Sequence, residues 1–328
     1  MLPRYVVATE HGIRGNMPGQ SYWHNTPDYR VHIKTNSSGI RADEETPYEK
    51  PAGVKRIVVL GDSFGMGYGV DIKDSLLTVM SNQLSVAGIK NEIINLSVSG
   101  FGTAEELIML KEEGIKYQPD LVLLFWHSTD PDENLRSRLF KLEDGKILPD
   151  KNQYLPGVKI RETLFQYATY RWLAGNSHLY NWARERVALM VKKTLSPKKT
   201  NKKNSTNLDK GKKAKNEDKV SYKAGLSAML LREINQVTTN SDASLLILDI
   251  PTRINRSKFK SSFPYKAIGN NQYTIVDPTP DFDSSRKNYP DKLLYWEQSH
   301  GHFTPEGCKI VGNLLARKIL ETDLLNRK

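Results

Sequence analysis

A serine set among glycines, Gly61-Asp62-Ser63-Phe64-Gly65-Met66-Gly67, follows the apolar run Ile57-Val58-Val59-Leu60. A hydroxyl at the lip of such a turn becomes a nucleophile when a base takes its proton, and histidine is the usual base. His300 and His302 stand two positions apart, just ahead of Thr304-Pro305. Attack on a carbonyl also builds an oxyanion, which needs hydrogen-bond donors. The backbone N–H groups of Ser63 and of Gly100, in Ser97-Val98-Ser99-Gly100-Phe101-Gly102, are suited to that role. A third polar cluster, His127-Ser128-Thr129-Asp130-Pro131-Asp132, follows the apolar run 121–126. Together these residues point to acyl transfer through a serine.

The elements that must position them alternate. Strands are predicted at 56–60, 92–96 and 120–126, with helices at about 74–87 and 103–116 between them. The pattern resumes with a helix at about 221–239, strands at 245–250 and 273–277, and a C-terminal helix capped by Thr304 with Pro305 in its first turn. Strands separated by helices of that length imply a parallel sheet covered on both faces, a three-layer α/β/α sandwich of flavodoxin-like type. Ligands in such sheets sit at the carboxyl ends of the strands, and all the clusters fall at such ends or, for the histidines, on a helix-entry loop at the same edge. Residues 1–50 are polar, with one extended piece at 29–34, and are expected to pack on the main domain, 51–328, as an N-terminal extension. From 160 to 195 the pattern is helical and aromatic, with rings expected in the core or over the site.

The 328 residues carry 48 basic and 37 acidic side chains, a formal charge of +11. Residues 192–219 hold eleven lysines against three acids, so the remainder has 37 basic and 34 acidic residues and is nearly neutral. Without apolar periodicity, 196–219 reads as a disordered lysine-rich insertion, and its natural partner is an anionic surface. It lacks the interleaved aromatics that stacking on nucleic acid requires, so no nucleic-acid partner is expected. The longest apolar run is far below the roughly 18 residues of a spanning helix, and the start has no signal-peptide core. The sequence therefore reads as cytoplasmic, with peripheral membrane attachment through the basic tract as a variant. Cys308 is the single cysteine, which excludes an internal disulfide and a cysteine-rich metal site. His300, His302 and Glu297 lack a third strong ligand at recognisable spacing, and Gly65, Gly67 and Gly69 fit neither a dinucleotide fingerprint nor a P-loop. No metal and no cofactor is expected.

In these blocks the chain resembles the SGNH/GDSL hydrolase family. Gly61-Asp62-Ser63-Phe64 is similar to the first block, the segment ending at Gly100 to the second, Ser128-Thr129-Asp130 to the third, and His300-Gly301-His302-Phe303-Thr304-Pro305 to the last. Asn36-Ser37-Ser38-Gly39-Ile40-Arg41 also looks like a motif that precedes the first block in members linked to bacterial polysaccharide genes. The resemblance implies Ser63 as nucleophile, His302 as base, and Ser63, Gly100 and Thr129 as the oxyanion hole, with Asp62 and His300 behind them. It also implies a serine esterase acting on O-acyl groups, acetyl among them, of a carbohydrate. The family's oxyanion Asn falls on Thr129 and its triad Asp on His300. What orients His302 is then open among a backbone carbonyl, Glu297 and Asp291. Asp130 and Asp132 read as loop and cap residues. The other class of function is an inactive protein of this fold that binds carbohydrate or serves in polysaccharide assembly.

Overall fold

The computed structural model describes residues 6–151, 155–177, 179–180, 183, 186, 208–268, 273–299 and 301–326. Its first 50 residues hold more regular structure than their composition suggests. Strands β1 (Val6–Ala8) and β2 (Arg14–Asn16) form one antiparallel hairpin, β3 (Ser21–Asn25) and β4 (Arg30–Lys34) another. The alternation in β4 buries Val31 and Ile33 and exposes Arg30, His32 and Lys34, as a half-buried strand requires.

The body begins at β5 (Lys55–Leu60), followed by α1 (Leu76–Val86), β6 (Asn91–Asn95), α2 (Thr103–Glu112), β7 (Leu121–Trp126) and α3 (Asp130–Ser137). After a small hairpin of β8 (Phe140–Glu143) and β9 (Lys146–Pro149), the chain returns through β10 (Ser244–Asp249), the short pair β11 (Thr252–Arg253) and β12 (Phe259–Lys260), and β13 (Thr274–Val276). Five strands make one parallel sheet in the order β13-β10-β7-β5-β6. Counted from the β6 edge by their order in the chain they run 2-1-3-4-5, the flavodoxin-like arrangement, so the chain switches direction across the sheet between β5 and β7.

Side chains alternate along each strand and divide the core in two. Ile57, Val59, Leu121, Leu123 and Phe125 pack against α1 and the C-terminal helix Pro305–Thr322, through Leu77, Met80, Val311 and Leu315. Val58, Leu60, Val122, Leu124 and Trp126 pack against α2 and the long helix Leu208–Asn240, through Leu107, Leu110, Leu230 and Ile234. The C-terminal helix has the expected cap: Thr304 Oγ1 accepts the Gly307 N–H at 3.3 Å.

Two expectations change. The helix expected at 221–239 starts at Leu208, inside the stretch read as disordered; lysine is a good helix former, and a helix already anchored downstream can extend without an apolar face. Residues 196–207 lie outside the described residues. The aromatics at 160–195 do not all reach the core: Tyr167 and Trp172 are 61% and 63% exposed, because the helix Leu155–Phe165 lies out along β1, with Ala168–Asn176 packed on that helix, and not on the sheet. Among the described residues, no helix is long and apolar enough to cross a membrane.

Three buried arginines sew residues 6–50 to the body. Arg56, fully buried, donates to the carbonyls of Pro47, Tyr48 and Glu49 and pairs with Glu92 at 2.8 Å. Arg41 donates to the carbonyls of Met66, Gly67 and Val70, so the 36–41 motif has a structural role in fastening the loop after Ser63. Arg14 reaches the loop after β6, at the site itself.

Candidate active site

Ser63 follows β5 by three residues and sits in a continuous turn, in which Met66 N–H bonds to Asp62 O and Tyr68 N–H to Ser63 O. The second loop is stitched directly to this turn. Val98 N–H bonds to Gly61 O at 3.0 Å, and Asn95 Nδ2 donates to Gly65 O at 2.8 Å. Gly65 is obligatory at that seam. A Cβ there would overlap Ser97 Oγ and stand 2.8 Å from Ser97 Cβ, well inside any real contact. Gly65→Ala is therefore expected to cost about 1–3 kcal/mol and to lower turnover, as overpacked cores do, with Ser97→Gly in the same chain restoring most of both. Urea unfolding and initial rates for the single and double variants check this; a Gly65→Ala protein equal to the parent would refute the close approach.

Gly100 adopts φ +81°, a left-handed conformation that favours glycine. Its carbonyl accepts a hydrogen bond from Arg14 Nη2, and Arg14 forks onto Glu105 with contacts of 2.7 and 2.9 Å. Both side chains are buried. Glu105 Oε2 also accepts the Gly102 N–H, so one ion pair fixes both ends of the turn. Asn16 Nδ2 adds a bond to Ser97 O at 3.0 Å. Among the described residues, neither the Ser63 nor the Gly100 N–H donates to a protein acceptor.

His302 Nε2 stands 2.8 Å from Ser63 Oγ. The pair is 239 residues apart in sequence, and the chain between 294 and 304 explains how it is held. Tyr295 and Phe303 form an antiparallel bridge, Trp296 N–H bonds to His302 O at 2.8 Å, and Thr304 N–H to Leu294 O at 3.1 Å. The imidazole then packs between the Phe64 ring at 5.1 Å and the Tyr68 ring at 5.8 Å. Backbone bonds on one side and rings on the other limit where Nε2 can point. Glu297 Oε2 is ion-paired with Arg256 at 2.5 Å while, among the described residues, its Oε1 is buried without a hydrogen-bond partner, and Asp291 is exposed; neither carboxylate bonds to His302. The family acid's position, His300, lies outside the described residues.

Asp62 precedes the serine and is buried beside it. Oδ1 accepts the Phe64 N–H at 2.8 Å, and Oδ2 lies 3.4 Å from His127 Nδ1. Burial alone would raise this carboxyl, but the hydrogen bond and charge of His127, the Phe64 N–H and the charge of His302 outweigh it and hold it below the ordinary carboxylate range. Two neighbours go the other way. Asp130 is raised by burial and by the charge of Asp62, and Glu106 by burial and by Asp130 and Asp62. Asp130 keeps a structural bond, accepting the His127 N–H at 3.0 Å, whereas neither Glu106 oxygen has a partner among the described residues. Like charges this deeply buried cannot all be present, and Asp62, with two imidazoles to answer it, retains the negative charge. Asp132, by contrast, is exposed and paired with Lys223.

Thr129 is exposed at the start of α3, its Oγ1 2.8 Å from His127 Nδ1. His127 itself packs on Phe64, ring centres 5.0 Å apart, so Asp62, Phe64, His127 and Thr129 form one connected group around the serine turn. Beyond Tyr68 the wall continues into the N-terminal hairpin: His24 lies 4.8 Å from Tyr68, and Tyr29 5.7 Å from Trp296. Sequence reasoning placed Ser63, Gly100 and Thr129 at strand ends and His302 at the entry of the last helix, but passed over Arg14, Asn16, His24 and the role of His127. Only His127 had a signal, its place in the third polar cluster.

No family model matches the sequence, and no curated protein matches it. Among solved structures, an acetyl xylan esterase is similar at 13% identity and TM-score 0.41, over 81% of this chain and 98% of that one. A family 3 carbohydrate esterase of Clostridium thermocellum is similar at 13% identity and TM-score 0.42, over 82% and 96%. A two-domain esterase active on acetylated mannans, co-crystallized with mannopentaose, is similar at 9% identity and TM-score 0.44, over 82% of this chain and 50% of that one.

Proposed function

We propose that the protein is a serine esterase of SGNH type that removes or transfers O-acyl groups, with Ser63 as nucleophile and His302 as base. The observation that carries this reading is the 2.8 Å contact between His302 Nε2 and Ser63 Oγ at the carboxyl edge of the sheet. In the first half-reaction Ser63 Oγ attacks the ester carbonyl while its proton passes to His302 Nε2. The carbonyl oxygen becomes an oxyanion facing the N–H groups of Ser63 and Gly100 and the hydroxyl of Thr129. Collapse breaks the bond to the alcohol, which leaves with the proton from His302, and the acyl group stays on Ser63. Water, or a second hydroxyl in a transferase, then repeats the sequence in reverse. The carbohydrate end of the proposal rests on the resemblance at 36–41 and on the aromatic wall of His24, Tyr68 and Trp296, since sugar rings bind on aromatic faces.

The replacement of the family's Asn by Thr129 favours a second reading, a protein that binds acylated carbohydrate without turning it over. Fluorophosphonate labelling separates the two. The parent is expected to be labelled at Ser63, located by mass spectrometry of the peptide, with His302→Ala slowing labelling by at least a hundredfold. Folded protein that stays unlabelled while a control esterase reacts would put the binding reading first.

A further inference from the structure

A threonine hydroxyl carries one proton, and the site can use it in only one place. Thr129 Oγ1 is 2.8 Å from His127 Nδ1, so one of the two atoms donates to the other. If Nδ1 were bare, it would take the Thr129 proton, and the hydroxyl would turn a lone pair toward the substrate, which repels a developing oxyanion. If Nδ1 carries the proton, Oγ1 at 2.8 Å is its nearer acceptor and Asp62 Oδ2 at 3.4 Å shares it, and the Thr129 O–H is free to point outward. Asp62 decides between these states. Its Oδ2 is 3.4 Å from the same Nδ1, in a buried position, and a carboxylate facing a ring nitrogen at that range favours the tautomer with hydrogen on that nitrogen. Phe64, packed on the imidazole, keeps the ring in this plane.

We propose that His127, held by Asp62, is a positioning residue of the oxyanion hole that turns the Thr129 hydroxyl proton toward the reacting carbonyl and so replaces the missing amide donor. The proposal rests on the Ser63–His302 reading and adds a component to it. A hydroxyl is shorter than an asparagine amide and can rotate freely; a neighbour that occupies its lone pair removes the wrong rotamer. Loss of one oxyanion donor costs about 10²–10³ in rate in serine hydrolysis, which sets the scale for Thr129 and, through it, for His127.

The test uses the full chain. His127→Phe keeps a ring against Phe64 and removes the donor, and Thr129→Val removes the hydroxyl at constant shape. Each is expected to lower kcat on a short-chain aryl ester by about 10- to 1000-fold with KM nearly unchanged. The double variant is expected to fall no further than the worse single, because both changes remove one device. Thr129→Asn in the His127→Phe background should recover much of the rate, since an amide brings its own N–H. A His127→Phe protein with parental kcat, or a double variant whose loss is the product of the singles, would overturn the proposal. Nitrogen-15 spectra of histidine-labelled protein give a readout independent of turnover: Nδ1 of His127 is expected protonated, and Asp62→Asn should shift it. A bare Nδ1 also overturns the proposal. A parent without turnover but with Nδ1 protonated would sink the esterase reading alone.

Discussion

Replacing His302 with alanine is expected to lower kcat by about 10⁴-fold or more, and Ser63→Ala to do the same, on the scale known for catalytic groups that act as one unit. His302 Nε2 has one evident use, at 2.8 Å from Ser63 Oγ, and the described residues place no other imidazole on that oxygen. The double variant is expected to be no worse than either single, because a serine without a base and a base without a serine are equally idle. Initial rates on a short-chain aryl ester, with folding matched by circular dichroism, make the measurement. A His302→Ala protein within tenfold of the parent would show that the base has been misassigned.

The second large effect concerns stability. Glu105→Ala would leave the Arg14 guanidinium buried without its carboxylate, a change that costs about 3–5 kcal/mol for a buried ion pair. It also releases the Gly100 turn, because Arg14 holds the Gly100 carbonyl and Glu105 the Gly102 N–H. Urea unfolding of Glu105→Ala is expected to show that loss, with activity falling even where the protein remains folded. Arg14→Met together with Glu105→Leu should regain much of the stability, since no charge is then left unanswered, but not the activity. A loss below about 1 kcal/mol in Glu105→Ala would mean that water reaches the pair and that the buried contact is not what orders the turn.

The sheet was legible because its five strands are short apolar runs broken by helices with apolar stripes, and hydrophobic period reports burial directly. Ser63 and Gly100 were legible because their loops begin where those runs stop, and His302 because it stands just ahead of the Thr304 cap of the last helix. What period cannot report is the partner of a buried polar group. Arg14, Arg41 and Arg56 look like three of many basic residues, yet each is buried and tied to carbonyls or a carboxylate far along the chain. His24 was hidden for a related reason: it lies on the inner side of a two-stranded hairpin whose outer side is polar, and its neighbour Tyr68 is 44 residues away in number. The start of the long helix at Leu208 was missed because lysines supply helix propensity without periodicity. The acid expected beside His302 was sought among carboxylates near it in sequence, whereas the described carboxyl that the site holds below the ordinary range is Asp62, next to the serine and facing His127.

The hairpin of β3 and β4 closes on the loop that carries His302: Asp28 Oδ2 accepts the Gln298 N–H at 2.7 Å across 270 residues. During synthesis that partner leaves the ribosome long after the hairpin. At roughly 5–20 residues per second the delay is about 15 to 50 s. The serine turn is thus made well before His302, which follows 239 residues later, and the two are joined by contacts whose wide separation along the chain also slows folding. Until His302 is made, the nascent chain holds Ser63 without the imidazole that stands 2.8 Å from its Oγ, and that pair forms only once the hairpin has met the 294–304 segment.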